Sequence, residues 1–314
     1  MKAVLHYRAS PGFRRMLIEA APDDLSIAMI DDADTDGFAR EMADADVLLH
    51  VLKPVSAADI AAAPALRLIQ KIGVGVITID LDAAASRGIA VCNMPGTNSQ
   101  AVAELTLALM LAALRRVTLF DRETRAGRGW TAKLDEFDGI GEIASRTVGL
   151  VGYGEIGRRL APVLTALGAR VLYTATAPKP EAEAEWRALD DLLAESDVVS
   201  LHVPLNDATE GMLDGAAIAR MKPGAVLVNT ARGGLVDEPA LIAALASGRL
   251  MAAGLDVFAM EPVDPANPLF ALPNVVVTPH IAWLTPETIE RSMGVALENC
   301  RRLASGEVLL HRVV

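Results

Sequence analysis

Short apolar runs alternate with Ala-rich stretches. In the first 95 residues the runs Lys2–His6, Ser26–Ile30, Val47–Val51, Leu66–Ile72 and Ile89–Cys92 read as buried strands. Helices around Pro11–Ala20, Thr35–Ala43, Ala57–Ala62 and Leu81–Arg87 lie between them. That alternation predicts an α/β unit with a parallel sheet. Pro95-Gly96-Thr97-Asn98 interrupts it. The following helix, Ser99 to Arg116, is apolar on nearly every face and is expected to be buried between units. Residues 118–144 are polar and glycine-rich and read as a loop with short helices.

A second series starts at Thr147. Its strands are Thr147–Val151, Arg170–Tyr173, Asp197–His202, Ala225–Asn229, Ala252–Asp256 and Val275–Thr278. Six strands with intervening helices match the doubly wound dinucleotide-binding plan. Thr285 caps a last helix, with Pro286 in its first turn, that runs to about Ser305 and ends at Gly306. A helix that follows a completed sheet is expected to pack back on the first unit. The expected domains are therefore 1–95 plus 286–314, and 96–285.

The first strand of the second series runs into Gly152-Tyr153-Gly154-Glu155-Ile156-Gly157. In this spacing the first glycine permits a tight turn and the second admits a pyrophosphate close to the backbone. The third lets the helix lie near the strand. The helix that follows points its free N–H groups at the phosphates.

Composition narrows the options. Of the 314 residues 52% are hydrophobic and only 4% aromatic, so the interior must be mainly Ala, Val, Leu and Ile. A net charge of −11 argues against nucleic acid or an anionic membrane as partner, since such surfaces need clustered Lys and Arg. A small anion held by a local positive site remains compatible with it. Cys92 and Cys300 form no metal or disulfide pattern and read as buried apolar residues, and no metal site is expected. The N-terminus lacks a signal-peptide core, and the most apolar run, Leu107 to Leu114, is too short to span a bilayer. A cytoplasmic enzyme is the expectation.

Ligands of such sheets sit beyond the carboxyl ends of the strands, and polar residues recur there. Ala175 and Thr176 follow the second strand of the series, and His202 and Pro204 the third. Thr230-Ala231-Arg232-Gly233-Gly234 follow the fourth, Asp256 and then Glu261 the fifth, and His280 the sixth. A guanidinium fork at Arg232 suits a carboxylate or carbonyl. Imidazole is the usual acid near neutral pH, and a carboxylate such as Glu261 would orient it.

These residues, with their contexts, resemble the D-isomer-specific 2-hydroxyacid dehydrogenases. The resemblance covers nearly the whole chain. It includes Gly73-Val74-Gly75, Pro95-Gly96-Thr97-Asn98, the glycine turn, His202-Val203-Pro204-Leu205, Asn229 to Gly234, Gly254-Leu255-Asp256-Val257, Glu261-Pro262 and Pro279-His280-Ile281. It implies two Rossmann-like or flavodoxin-like domains with parallel sheets, a cleft between them, and a homodimer. Arg232 would bind the substrate's carboxylate and carbonyl oxygen, Glu261 would partner the catalytic His280, and His280 would protonate the carbonyl. The Val74–Gly75 backbone would bind the carboxylate, with Lys53 and Trp283 as further substrate contacts. The dinucleotide would draw on Gly152 to Gly157, Thr174, Ala175, Thr176, Lys179, His202, Val203, Pro204, Thr209, Thr230, Ala231, Arg232, Asp256 and His280.

Two departures stand out. Val76, Ile77 and Thr78 replace a polar run after the Gly75 motif, and Ala175 stands where NAD-binding versions carry an acid. The missing acid favours NADPH, with NAD possible. The expected reaction is reduction of a small 2-oxo acid, glyoxylate or hydroxypyruvate first, to a D-2-hydroxy acid. A 3-phosphoglycerate dehydrogenase is the alternative, and an NAD(H)-sensing, corepressor-like regulator is the alternative of another class.

Overall fold

The computed structural model describes residues 1–131, 137 and 139–314. The chain divides into two compact units, Met1–Asn98 with Leu284–Val314, and Ser99–Trp283.

The first unit holds β1 (Lys2–His6), β2 (Ser26–Ile30), β3 (Val47–His50), β4 (Leu68–Lys71) and β5 (Ala90–Cys92). They form one parallel sheet in the order β2-β1-β3-β4-β5, the flavodoxin-like arrangement. Every residue of β3 and β4 is buried, the polar His50, Gln70 and Lys71 included, as expected in a parallel sheet covered on both faces. Leu48, Ile60, Ile69, Ile79 and Val91 are central to the core on one face.

Helix Pro286–Ser305 belongs to this unit. Thr285 caps it, accepting the Thr288 N–H at 3.1 Å, and Gly306 ends it at φ 74°. Its fully buried Asn299 donates to Gln70 Oε1 at 2.6 Å and to Leu310 O at 3.1 Å, and accepts the Leu310 N–H at 2.7 Å. The Gln70 amide in turn donates to the carbonyls of Lys71 and Cys92. A buried polar chain thus joins the last helix to β4 and β5. Val76 packs partly on the core and the Thr78 carbonyl accepts the Val55 N–H at 2.8 Å, so both serve this unit's own packing; Ile77 is exposed.

The second unit holds β6 (Thr147–Val151), β7 (Arg170–Thr174), β8 (Glu185–Trp186), β9 (Val198–Leu201), β10 (Ala225–Asn229), β11 (Leu250–Leu255) and β12 (Val275–Val277). Their order is β12-β11-β10-β9-β6-β7-β8, all parallel. Counted from β6, this is the 3-2-1-4-5-6 doubly wound order with one strand added beyond the sixth position. The sequence predicted six strands. The strand beyond the sixth position is β12, whereas the one the sequence did not predict is β8, a two-residue, solvent-exposed edge strand with no apolar run to announce it.

Helix Ser99–Leu114 packs on this sheet, its Leu109, Met110 and Leu114 sharing a core with Val148, Leu150, Val226 and Val228. Within the stretch read as loop and short helices, helix Val117–Arg125 and a 3-10 turn, Gly129–Thr131, are formed; residues 132–136 and 138 lie outside the described residues. Cys92 and Cys300 are free and buried, and burial pushes their thiols up to about 11 and about 12. Among the described residues no helix is long and apolar enough to cross a membrane.

Asn299→Ala strands Gln70 and the Leu310 N–H in the interior and should cost about 2–3 kcal/mol. Hydrogen exchange is the measurement: amides of β4 and β5 should exchange faster, and those of β6 to β12 should stay as they were.

Candidate active site

β6 delivers the chain into the glycine turn. Gly152 has φ 104° and donates its N–H to Thr174 O at 3.0 Å. A Cβ there would lie 2.5 Å from His202 O, and one on Gly157 would lie 2.7 Å from Gly152 O. A Cβ on Gly154 would meet nothing within 4 Å, so that side of the turn is open. Helix Glu155–Ala166 starts there with no side-chain cap, which leaves its first amides for a ligand. A bare turn ahead of an uncapped helix fits a pyrophosphate. Tyr153 is buried against Tyr173, and Ile156 is half-buried. Glu155 adds no net repulsion, because Arg158 and Arg159 hold its carboxylate at 2.8 and 2.6 Å.

At the end of β7, Thr174 and Ala175 are half-buried and Thr176 is exposed. The Lys179 backbone N–H donates to the Tyr173 phenol at 2.6 Å, which folds this loop back over the strand. After β9, His202 Nε2 lies 2.9 Å from Ser200 Oγ, and burial pushes the imidazole down to about 3, so it is neutral. Val203 is half-buried and Pro204 exposed. Thr209 shapes their loop: its hydroxyl donates to Pro204 O at 2.6 Å and accepts the Asn206 N–H at 2.9 Å.

After β10, the buried Asn229 side chain accepts the Ala231 N–H at 3.0 Å and donates to Arg232 O at 2.9 Å. The Thr230 hydroxyl is buried against that of Thr106, 2.7 Å away. Arg232 Nη1 donates to Ala231 O at 2.6 Å. Burial lowers the Arg232 pKa, while the negative charge of Glu261 opposes the shift. Gly233 carries a steric constraint: a Cβ there would lie 1.9 Å from the Phe258 carbonyl. The Arg232 turn therefore rests on the backbone of Phe258, whose own N–H donates to Glu261 Oε1 at 3.0 Å.

Glu261 Oε2 accepts from His280 Nδ1 at 2.5 Å. Burial alone would push the Glu261 carboxyl up; the bonds from His280 and Phe258 N–H and the charges of His280 and Arg232 outweigh it and hold it below the usual range. With Nδ1 engaged, Nε2 is the nitrogen left for proton exchange. The His280 backbone is left-handed, φ 55°, which an L-residue adopts at some cost. Asp256 holds it there. That carboxylate is fully buried, and Oδ1 accepts the Thr278 hydroxyl at 2.6 Å and the Ile281 N–H at 2.9 Å. Oδ2 accepts the Ala282 N–H at 2.9 Å, and Asp256 O accepts the His280 N–H at 2.8 Å.

The structure thus brings Arg232, Glu261 and His280 together in the second unit, where Trp283, half-buried, is the last residue. Lys53, Val74 and Gly75 belong to the first unit, beyond β3 and β4. Lys53 Nζ donates to Asp32 O at 2.8 Å, and Val74 O accepts the Asn93 amide at 2.9 Å. Sequence reasoning missed Gly233 as a contact, the anchoring bonds of Asp256, and the pairing of Arg158 with Glu155. Arg158 was detectable as the basic residue directly after the third glycine. Among the described residues no cluster of three His, Cys, Asp or Glu could hold a metal.

A 3-2-1-4-5-6 sheet with a bare glycine turn at its switch point defines a Rossmann-type dinucleotide-binding unit. Residues 107–282 match the family described as D-isomer specific 2-hydroxyacid dehydrogenase, NAD binding domain. The D-3-phosphoglycerate dehydrogenase of Mycobacterium tuberculosis is 41% identical over 295 residues, 92% of this chain and 55% of the relative. The glyoxylate reductase of Aeropyrum pernix is 42% identical over 254 residues, 78% of this chain and 76% of the relative. The crystal structure of the TT0316 protein from Thermus thermophilus superposes with a TM-score of 0.91 at 38% identity, covering 100% of both chains. The chain belongs to the D-isomer specific 2-hydroxyacid dehydrogenase family. It spans about half the length of the phosphoglycerate dehydrogenases it matches.

Asp256→Ala would leave two backbone N–H groups and a hydroxyl without their acceptor around His280. The expected loss is about 3 kcal/mol of stability, read as a lowered unfolding midpoint. A midpoint within experimental error of the parent would contradict the anchoring role.

Proposed function

We propose that this protein is an NAD(P)-dependent reductase of small 2-oxo acids that yields D-2-hydroxy acids, with glyoxylate or hydroxypyruvate as the first candidates. The observation that carries the reading is the 2.5 Å Glu261–His280 pair, with the positive charge of Arg232 acting on the same carboxylate. The nicotinamide cofactor, when bound, supplies the hydride. Arg232 orients the substrate through its carboxylate and carbonyl oxygen by its planar fork. Glu261 fixes the His280 ring, and His280 Nε2 hands a proton to the carbonyl oxygen as it gains charge. Burial around Arg232 strips water from the guanidinium and strengthens its grip on an anion.

Gly152 to Gly157 and the free helix amides would hold the pyrophosphate. Thr174 and Ala175 would border the adenosine ribose. With Ala175 where an acid would repel a 2′-phosphate, NADPH is the preferred cofactor and NADH the lesser one. A second substrate reading rests on the Mycobacterium tuberculosis relative named D-3-phosphoglycerate dehydrogenase, which is as similar as the glyoxylate reductase.

A panel of glyoxylate, hydroxypyruvate, pyruvate and 3-phosphoglycerate, each run with NADPH and NADH, tests the reading. Glyoxylate or hydroxypyruvate with NADPH should give the highest kcat/KM. Turnover confined to 3-phosphoglycerate would select the second reading, and turnover of none would refute both.

His280→Ala should lower kcat by about 10²–10⁴-fold, the usual contribution of a positioned acid, while leaving cofactor Kd nearly unchanged. Single-turnover rates alongside cofactor titration separate the two effects.

A further inference from the structure

The loop after β7 has no carboxylate at its start and no arginine of its own, yet a cation reaches it from another element. Arg158, one residue beyond Gly157, lies on the helix that opens the glycine turn. One of its nitrogens bonds Glu155 at 2.8 Å, and another lies 3.9 Å from Glu181 Oε1 in the loop that follows β7. The loop itself is pinned. The Lys179 N–H donates to the Tyr173 phenol, and Trp186 Nε1 donates to Ala175 O at 3.3 Å. Glu181 therefore meets Arg158 from a fixed segment.

We propose that Arg158 is the 2′-phosphate partner of this site and that Glu181 is the acid that competes for it, so that the pair sets the choice between NADPH and NADH. This rests on the dinucleotide reading given above. Three features support it. The Arg158–Glu181 contact is too long for a hydrogen bond and both side chains are well exposed, so it is weak and easily surrendered. Glu155 keeps a partner when Arg158 turns away, because Arg159 bonds the same carboxylate at 2.6 Å. A guanidinium grips a phosphate through two parallel bonds, which the point charge of Lys179 cannot reproduce. Glu181 acts in the opposite sense, since its carboxylate repels a 2′-phosphate and holds the arginine back.

The test uses nucleotides that carry no nicotinamide, so the readout is binding and not turnover. Calorimetric titration with 2′,5′-ADP and with 5′-ADP compares the parent chain with Arg158→Ala, Glu181→Gln and Lys179→Ala. Arg158→Ala should weaken 2′,5′-ADP about tenfold, the value of one charge-assisted contact, and leave 5′-ADP within about twofold. Glu181→Gln should tighten 2′,5′-ADP only, by about threefold, and the gain should shrink in high salt. Lys179→Ala should do less than Arg158→Ala. An Arg158→Ala variant that keeps the parent's preference between the two nucleotides overturns the proposal, as does a larger effect from Lys179. If the parent binds neither nucleotide, the dinucleotide reading itself fails. If it binds 5′-ADP but Arg158→Ala changes nothing, only the assignment of Arg158 fails.

Discussion

The candidate site depends on one buried carboxylate. Asp256 is fully shielded from water, so its side-chain oxygens need hydrogen-bond donors from the protein. Those donors are the Thr278 hydroxyl and the backbone N–H groups of Ile281 and Ala282. Together they force the chain round His280 into its left-handed turn. The imidazole then faces Glu261 with a fixed nitrogen. Glu261 is held in turn by the Phe258 N–H, and Phe258 carries the Gly233 contact that seats Arg232. Three candidate side chains from three strand ends therefore share one backbone framework. The Glu261–His280 bond is then made between side chains that this framework has already brought close.

Electrostatics acts at two ranges in this molecule. The whole chain is strongly acidic, which repels polyanions at a distance. Close in, the uncapped helix amides and Arg232 offer positive potential to one small anion each. Salt screens the first effect far more than the second, because the local groups are partly withdrawn from water. An acidic surface and locally positive groups can thus coexist in one chain.

Much of the fold was legible because both sheets are parallel and covered on both faces, so their strands appear as apolar runs. Lys2–His6, Ser26–Ile30, Thr147–Val151 and Ala225–Asn229 end where the runs end. β8 was not legible. Glu185 and Trp186 pair with β7 at an exposed edge, where no burial shapes the sequence. Arg232, Glu261 and His280 stood out as candidates from their places after strands, since strand ends are where such sheets bind ligands, and the structure brings the three together. The 1.9 Å conflict that reserves position 233 for glycine could not, because it depends on how two loops approach. The same holds for the pairing of Arg158 with Glu181, which meet only once helix and loop are in place.

The hydrogen bond between Asn299 and Gln70 links residues 229 apart in sequence. The second unit is one continuous segment, while the first is assembled from the segments on either side of it. During synthesis the inserted unit emerges whole and is free to close early. The five strands of the first sheet are made before it, but the Gln70 amide on β4 meets its Asn299 partner only once helix Pro286–Ser305 has been made as well.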